Sequence, residues 1–336
     1  MNGGARWTVL RAGALIPPAW RRSQGAGPAW CFNPSLLRCP QGWLLVYRVV
    51  LADQQRRLAL CRLDEHLSVI DGTQIPLSDR IRFDPREGYS ERVTTWFADP
   101  RLHAFAGRLF VYFNSGWHAP RNHQFVVELQ ADTGWPADLA LEIDLVESRQ
   151  PLEKNWVFLA GGLDTLVYSP SPHRIARQVD QAGRRLRYQL ADAAPPAPGP
   201  DRLGPGLLRG GATPVPHQGL YYSFCHVIQS QPERIDYRVG LYRFGTQAPH
   251  APRPEGAVLL DLALPESGRR QQPPLNPAVS EVIYPGGAAF HDHAWFVACG
   301  LNDEHCAIVR LDAEAVEACL APARAGPTQV ADTSSR

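Results

Sequence analysis

One phrase recurs along this chain and restricts its fold more than any other feature. A polar cluster is followed by a turn, a strongly apolar run and a second strand-like run. It begins with "FNPSLLRCPQGWLLVYR" at residue 32 and returns as "ADPRLHAFAGRLFVYFN" at 98 and "EKNWVFLAGGLDTLVYS" at 153. It returns again as "RGGATPVPHQGLYYSFCH" at 209 and "YPGGAAFHDHAWFVACG" at 284. The starts lie 66, 55, 56 and 75 residues apart. Each interval holds four short strands, and internal repeats of that length signal a repeat architecture. Five four-stranded sheets set radially leave only short, protected edges. The sequence therefore predicts an all-β chain: a five-bladed β-propeller of four-stranded antiparallel blades around a central funnel. A β-sandwich would not obviously bring the five polar clusters together.

The rest of the chain is strand-like too. Runs such as "RLALCRL" (57–63), "QFVVELQ" (124–130), "TLVYS" (165–169), "RVGLYRF" (238–244), "AVLLDLAL" (257–264) and "CAIVRLD" (306–312) are short and rich in Val, Tyr, Phe and Leu. They are bounded by turn formers, which 31 prolines and 28 glycines supply in quantity. The stretches 191–206 and 246–256 read as surface loops rather than linkers, because strands continue in the same style on both sides. Residues 1–322 are expected to form a single domain, and 323–336 a frayed, disordered tail.

Charge and cysteine usage narrow the function. A net charge of +1 with scattered arginines argues against a nucleic-acid partner, which needs a concentrated basic excess. No apolar run approaches the ~20 residues of a membrane span. The opening "MNGGARWTVLRAGALIPPAWRR" is a poor signal peptide, since Pro17 and Pro18 break its apolar patch. Seven cysteines form no CxxC pair and are odd in number, which fits a reduced, cytoplasmic protein. A homo-oligomer stays open.

If the five clusters converge, one pocket gathers Asn33 and Arg48, then Asp99 and Arg101. The third cluster adds Glu153, Lys154 and Asn155, with Tyr168 and His173 beyond it. The fourth adds Arg209, Thr213, His226 and Tyr237, and the fifth Glu281, Tyr284 and Asp303. Trp96, Trp117 and Trp156 could furnish flat walls. Carboxylates that bond hydroxyls and move protons, cations that bind phosphate and aromatic platforms together describe a sugar site beside an anion site. Lys154 is singular: Lys+Arg total 34, and every other member is arginine. A lone ammonium suggests a tight place where a planar guanidinium does not fit. Each residue also has a duller reading. Asn33-Pro34 and Asp99-Pro100 are ordinary turn dipeptides, Glu153 and Lys154 could be an exposed pair of little worth, and Gly210–Gly211 and Gly286–Gly287 could merely permit positive φ. His291 and His293 lack a third ligand, so no metal is expected.

These phrases, over about residues 30 to 312, resemble glycoside hydrolase family 130, five-bladed propellers that act on β-mannosides by phosphorolysis, hydrolysis or transfer. "FNPSLL...GWLLVYR" is similar to the family's Asn-Pro opening and Tyr-Arg strand end. "ADPRLHAFAGRLFVYF" is similar to its Glu-Asp-Pro-Arg stretch, and the Gly-rich fourth and fifth phrases also match in order and spacing. The resemblance implies that Asp99 is the proton donor, and that Arg48, Lys154, His226 and Tyr237 hold phosphate. It implies a sugar held by Asn33, Arg101 and Asp303, and the convergence of the clusters would set Glu153, Asn155, Tyr168, His173, Arg209 and Thr213 around it as further sugar contacts. No cofactor is implied; inorganic phosphate or a sugar phosphate would be co-substrate, and an oligosaccharide or sugar phosphate the substrate. Ala98 departs from the family, which has glutamate there, and so removes one candidate for the carboxylate pair an inverting hydrolase needs. The expected chemistry is one inverting displacement on a mannoside, as a β-mannoside phosphorylase or a phosphate- or nucleotide-sugar-linked mannosyltransferase, with Asp99 kept protonated near neutrality by a raised pKa. A β-mannoside hydrolase and a non-catalytic glycan-binding propeller are the alternatives.

Overall fold

Burial on both faces explains why the strands read as continuous apolar runs instead of alternating ones. The structure, a computed structural model, describes residues 5–24, 27–117, 120–191, 203, 206–231, 234–271 and 273–321. It opens with β1 (Ala5–Leu10). A first unit then follows: β2 (Trp30–Cys39), β3 (Gly42–Val50) and β4 (Arg56–Leu63), with Ile75 bridging Leu60 at its outer edge. The second unit is β5 (Ala98–Phe105), β6 (Arg108–Asn114), β7 (Gln124–Leu129) and β8 (Leu141–Leu145). The third is β9 (Val157–Phe158), β10 (Thr165–Pro170), β11 (His173–Ala182) and β12 (Arg185–Leu190). In the fourth, β13 (Leu207–Arg209) and β14 (Val215–His217) both pair with β15 (Leu220–Gln231), followed by β16 (Arg234–Gly245) and β17 (Val258–Leu259). The fifth is β18 (Glu281–His291), β19 (Ala294–Leu301) and β20 (His305–Asp312), and its outermost strand is β1, antiparallel to β20 from Ala5↔Leu311 to Leu10↔Cys306.

Side chains alternate along a strand with a period of two, so each unit offers one face to each neighbour. In β3, Leu44 and Val46 pack with Leu102, Val111 and Phe113 of the second unit, while Leu45, Tyr47 and Val49 pack with Ala298 and Ile308 of the fifth. Further apolar layers join the second unit to the third, the third to the fourth and the fourth to the fifth. Units are also stitched by outer strands: β8 pairs parallel with β12, and β16 with β18, merging the expected separate sheets into longer ones.

The polar clusters differ from expectation. They are not turns before the first strand; in the first, second and fifth units they are the first strand, broken by a bulge. The register slips between Phe32 and Ser35, between Ala98 and Arg101, and between Pro285 and Gly287. Asn33 and Asp99 occupy the same place in two of these bulges, with φ of 49° and 48°. Asn and Asp tolerate this left-handed conformation better than other side-bearing residues. A bulge re-aims a side chain, which turns both out of the strand pattern. The strand expected at 257–264 shrinks to Val258–Leu259, and the apolar run that follows Asn155 forms only the short strand Val157–Phe158. The expected tail and most of the 191–206 loop lie outside the described residues.

Candidate active site

Asp99 is the centre of the polar cluster. Its Oδ1 accepts a hydrogen bond from Asn33 Nδ2 at 2.9 Å and a longer one from Arg48 Nη1 at 3.4 Å. Lys154 Nζ stands 3.7 Å from Oδ2. Three units thus deliver side chains to one carboxylate. Burial pushes that carboxyl up, but Lys154, Arg48 and Arg101, with the Asn33 bond, outweigh it and hold it well below the usual carboxylate range. This corrects the expectation of a protonated acid: in the free protein Asp99 is ionised. Asp303, at the β19–β20 turn with φ 57°, goes the other way. Burial raises it, Asp99 adds to the rise, and Arg48 and Lys154 only partly oppose it. A second carboxyl therefore shares the field of Asp99, although no carboxylate pair is evident in the sequence.

Behind the carboxylate runs a relay. Arg101 is completely enclosed; its Nε donates to Gly211 O at 2.7 Å, Nη1 to Pro100 O at 2.8 Å and Nη2 to the Tyr284 hydroxyl at 2.6 Å. Tyr284 in turn donates to Asn155 Oδ1 at 2.5 Å. Arg101 braces the site from behind and is not at its wall, which corrects its sugar-contact expectation, whereas Asn155 both accepts the Tyr284 bond and lines the adjoining cleft. Glu153 is likewise a brace. Its Oε1 accepts from the Tyr168 hydroxyl at 2.6 Å and its Oε2 from Arg149 Nε at 2.7 Å, while Asn122 and Gln124 hold its backbone carbonyl. With both oxygens occupied it has little left for a sugar. These bonds fix the loop so that Lys154 projects from it, with 42% of its side chain exposed.

A cleft of about 400 Å³ adjoins Lys154, lined also by Tyr168, Trp156, Arg209, His226, Ile228 and Tyr237. His226 Nδ1 lies 2.7 Å from Gly210 O, which can only accept, so Nδ1 carries the proton. Burial, then Lys154, pulls the ring down to about 3. His226 is therefore neutral, with Nε2 as an acceptor, and suits a hydroxyl hydrogen rather than a bare anion. The Tyr237 ring lies 5.3 Å from it, and burial, Asp303 and Asp99 push its phenol up. Close approach explains the glycines, none of which here has positive φ: a Cβ on Gly210 would meet Asn155 O at 2.6 Å, and one on Gly286 would meet Pro34 O at 2.2 Å.

Two expected site residues lie elsewhere. His173 is buried between the third and fourth units, 4.8 Å from the Phe244 ring and 3.3 Å from the Tyr242 hydroxyl; burial pulls it down to about 4. Thr213 bonds Leu102 O at 3.3 Å and does not line the cleft. Of the tryptophans, Trp156 is a buried wall, Trp96 is contacted by Arg56 and Arg92, and Trp117 is 67% exposed. Glu281 pairs with Arg238 on a strand edge. Two residues were not anticipated. Arg56, pulled down to about 10 by burial and by Arg48, belongs to the same field. Arg149 has a side chain only 1% exposed; its Nη1 stands 3.5 Å from Asp144 Oδ1 as an ion pair, and neither Nη makes a hydrogen bond among the described residues. Arg56 opens an ordinary strand and Arg149 sits in a polar loop, so neither carries a local signal. Among the described residues no group of three or more His, Cys, Asp or Glu could hold a metal ion, and no helix is long and apolar enough to cross a membrane.

No protein-family profile matches the chain, and no curated protein matches its sequence. Solved structures do match in shape. A β-1,2-mannobiose phosphorylase from Listeria innocua aligns over 94% of this chain and 99% of its own, with a TM-score of 0.59 and 12% identity. A structure described with the family 130 mannoside phosphorylases, as among glycoside hydrolases that target β-1,2 mannosidic linkages in Candida mannan, covers 97% of each chain at TM-score 0.62 and 12% identity. A mannose phosphorylase from Leishmania mexicana in complex with phosphate covers 86% of each at TM-score 0.53 and 11% identity. The chain has a fold like that of glycoside hydrolase family 130.

Proposed function

We propose that this protein is an inverting carbohydrate-active enzyme on mannosides, exchanging a glycosidic oxygen for phosphate or a phosphate ester at the anomeric carbon. In this reading the five units are the blades of one propeller over residues 1–322, and the bulged first strands line its funnel. The observation that carries it is the set of long contacts at Asp99. Arg48 and Lys154 stand 3.4 and 3.7 Å away, beyond good charge-assisted bonds of roughly 2.7–2.9 Å. Two cations neutralise the carboxylate without being used up by it, and Lys154 faces a cleft.

The ionised state of Asp99 fits the transfer direction. A sugar phosphate binds with its phosphate on Lys154 and Arg48, the C1–O bond breaks with its electron pair on the phosphate, and an acceptor hydroxyl attacks from the opposite face. Asp99 takes the acceptor's proton, directly or through a sugar hydroxyl. In phosphorolysis the same group must donate that proton. Bound phosphate then cancels the field of the two cations, which lifts the Asp99 carboxyl toward the protonated form. Asn33 orients the carboxylate, and Asp303 bonds the sugar. Asp303 also supports a second reading, hydrolysis, because a second carboxyl could activate water, and its raised proton affinity moves it toward the range that suits a general base. None of the seven cysteines is in a disulfide and five are buried, which supports a reducing compartment.

The test is a product screen by mass spectrometry and NMR with β-mannosides plus phosphate, and with mannose 1-phosphate plus acceptors. An α-linked mannose phosphate from a β-mannoside, or the reverse, is the expected result. Binding without turnover would leave a glycan-binding propeller, and turnover independent of phosphate would favour the hydrolase.

A further inference from the structure

We propose that the anion site does not end at Lys154 but continues to Arg209, so that the group it handles is a diphosphate, esterified to the sugar at one end. This rests on the reading of Lys154 as an anion ligand. The cleft that Lys154 faces holds about 400 Å³, within the roughly 300–1,000 Å³ of sites that enclose small organic ligands. That volume has room for a sugar and for more than one phosphate group beside it.

Arg209 is fixed close to Lys154 by two short backbone contacts. It is paired directly opposite His226 in the β13–β15 ladder, and residues so paired project on the same face with Cβ atoms about 4.5–5.5 Å apart. The next residue, Gly210, accepts the His226 Nδ1 hydrogen bond at 2.7 Å, and an added Cβ there would lie 2.6 Å from Asn155 O. Gly210 and Asn155 are the immediate neighbours of Arg209 and Lys154, so the two cations sit on touching segments.

Charge supports a second anion. The Arg209 side chain is exposed and has no ion pair or hydrogen bond among the described residues, whereas many arginines here, including Arg38, Arg57, Arg108 and Arg243, have a carboxylate partner. Among the described residues the only acid lining the cleft is Glu153, already held by Arg149 and Tyr168. Two cations thus face the cleft against one compensated carboxylate. Arg209 offers a planar fork suited to phosphate oxygens. In the transfer step the sugar C1–O bond breaks and both electrons leave on the diphosphate oxygen. The acceptor oxygen bonds to C1, and its proton passes to Asp99.

Calorimetric titration with inorganic phosphate and inorganic diphosphate tests this on the intact protein. Diphosphate is expected to bind about tenfold tighter than phosphate, as one further charge-assisted contact implies. Arg209→Ala should abolish most of that advantage while changing phosphate affinity less than about twofold, and Lys154→Ala should weaken both ligands. Equal affinities for phosphate and diphosphate, or an advantage that survives Arg209→Ala, would overturn the second site and leave the first intact. If neither ligand binds, or Lys154→Ala changes nothing, the anion site itself is wrong and both readings fall.

Discussion

Two buried carboxylates in this protein sit among cations and phenols, and they are built differently. Glu142 on β8 is saturated. Tyr89 donates to it at 2.9 Å, His123 Nδ1 lies at 2.6 Å and Arg185 Nε at 3.0 Å, with Arg185 held from behind by Glu87 at 2.7 Å. Asp99 has one bond of ordinary length, from Asn33, and two cations at 3.4 and 3.7 Å. Around it the buried Asn33 Oδ1 and Arg48 Nε make no hydrogen bond among the described residues. Glu142 closes a network that ties the 85–89 turn to the second and third units. Asp99 heads a network with unused capacity on its open side, and it is held in a left-handed conformation that costs of order 1–3 kcal/mol. Saturation marks a brace; strained, incompletely satisfied charge marks a place where something else binds.

The sharpest way to break this contrast is to neutralise each carboxylate without changing its shape. Asp99→Asn should lower turnover by about 10³-fold, within the range for loss of a proton-transfer group, and shift the melting temperature little, because Asn33 and the bulge remain. Glu142→Gln should do the reverse. It leaves the partly exposed Arg185, still paired with Glu87, beside a neutral amide and should cost about 1 kcal/mol of stability, read as a lower urea midpoint, with kcat at 25 °C within twofold of wild type. Equal activity losses in the two variants would abolish the distinction.

Lys154→Arg asks whether the lone ammonium depends on its size. The 3.7 Å gap to Asp99 leaves room for a point charge and a ligand oxygen; a guanidinium would reach Asp99 itself and form a fork with it. Turnover should fall about 10- to 100-fold with unchanged melting, whereas a near-normal rate would show that any cation serves there. A smaller effect tests the electrostatics directly. Because the cations hold Asp99 well below the usual carboxylate range, an anion that neutralises them should raise its proton affinity. Phosphate binding is therefore expected to be accompanied by proton uptake that grows as pH falls toward the ordinary carboxylate range. Calorimetry in buffers of different ionisation enthalpy measures it, and uptake that persists in Asp99→Asn would assign the proton to another group.

The repeat and the residues around Asp99 were legible in the sequence because each unit repeats a local grammar. Strand Leu44–Val49 is apolar at every position but Arg48, and the structure shows why: odd and even residues face different neighbours. What was not legible depended on partners distant in the chain. Asn33-Pro34 and Asp99-Pro100 carry the signature of turns, and only pairing with β3 and β6 makes them bulges. Arg101 looks like a ligand-binding cation until Gly211 and Tyr284, 110 and 183 residues away, claim its nitrogens. His173 looks like part of the third polar cluster until Phe244 covers it. The sign of the Asp99 shift was missed for the same reason, since it is the sum of three opposing charges from three units.

The least of the expected effects concerns a group that neither network uses. His103 on β5 is buried, packs 5.2 Å from the Phe158 ring, and has no hydrogen-bond partner for either nitrogen among the described residues. Burial, then Arg101, pulls it down to about 3, against about 6.5 in an unfolded chain. Its folded proton affinity is depressed, so its stability contribution is complete above pH 6.5 and is lost as pH falls toward 3. Between pH 7 and 5 only the unfolded chain gains the proton, which costs the folded state about 2 kcal/mol. His103→Leu removes that penalty without removing any bond. Its urea midpoint should exceed wild type at pH 5 by more than at pH 7.5, with turnover unchanged. A pH-independent difference would mean that His103 is already charged or finds a partner, and the contrast between saturated and unsatisfied buried groups would then need a third category.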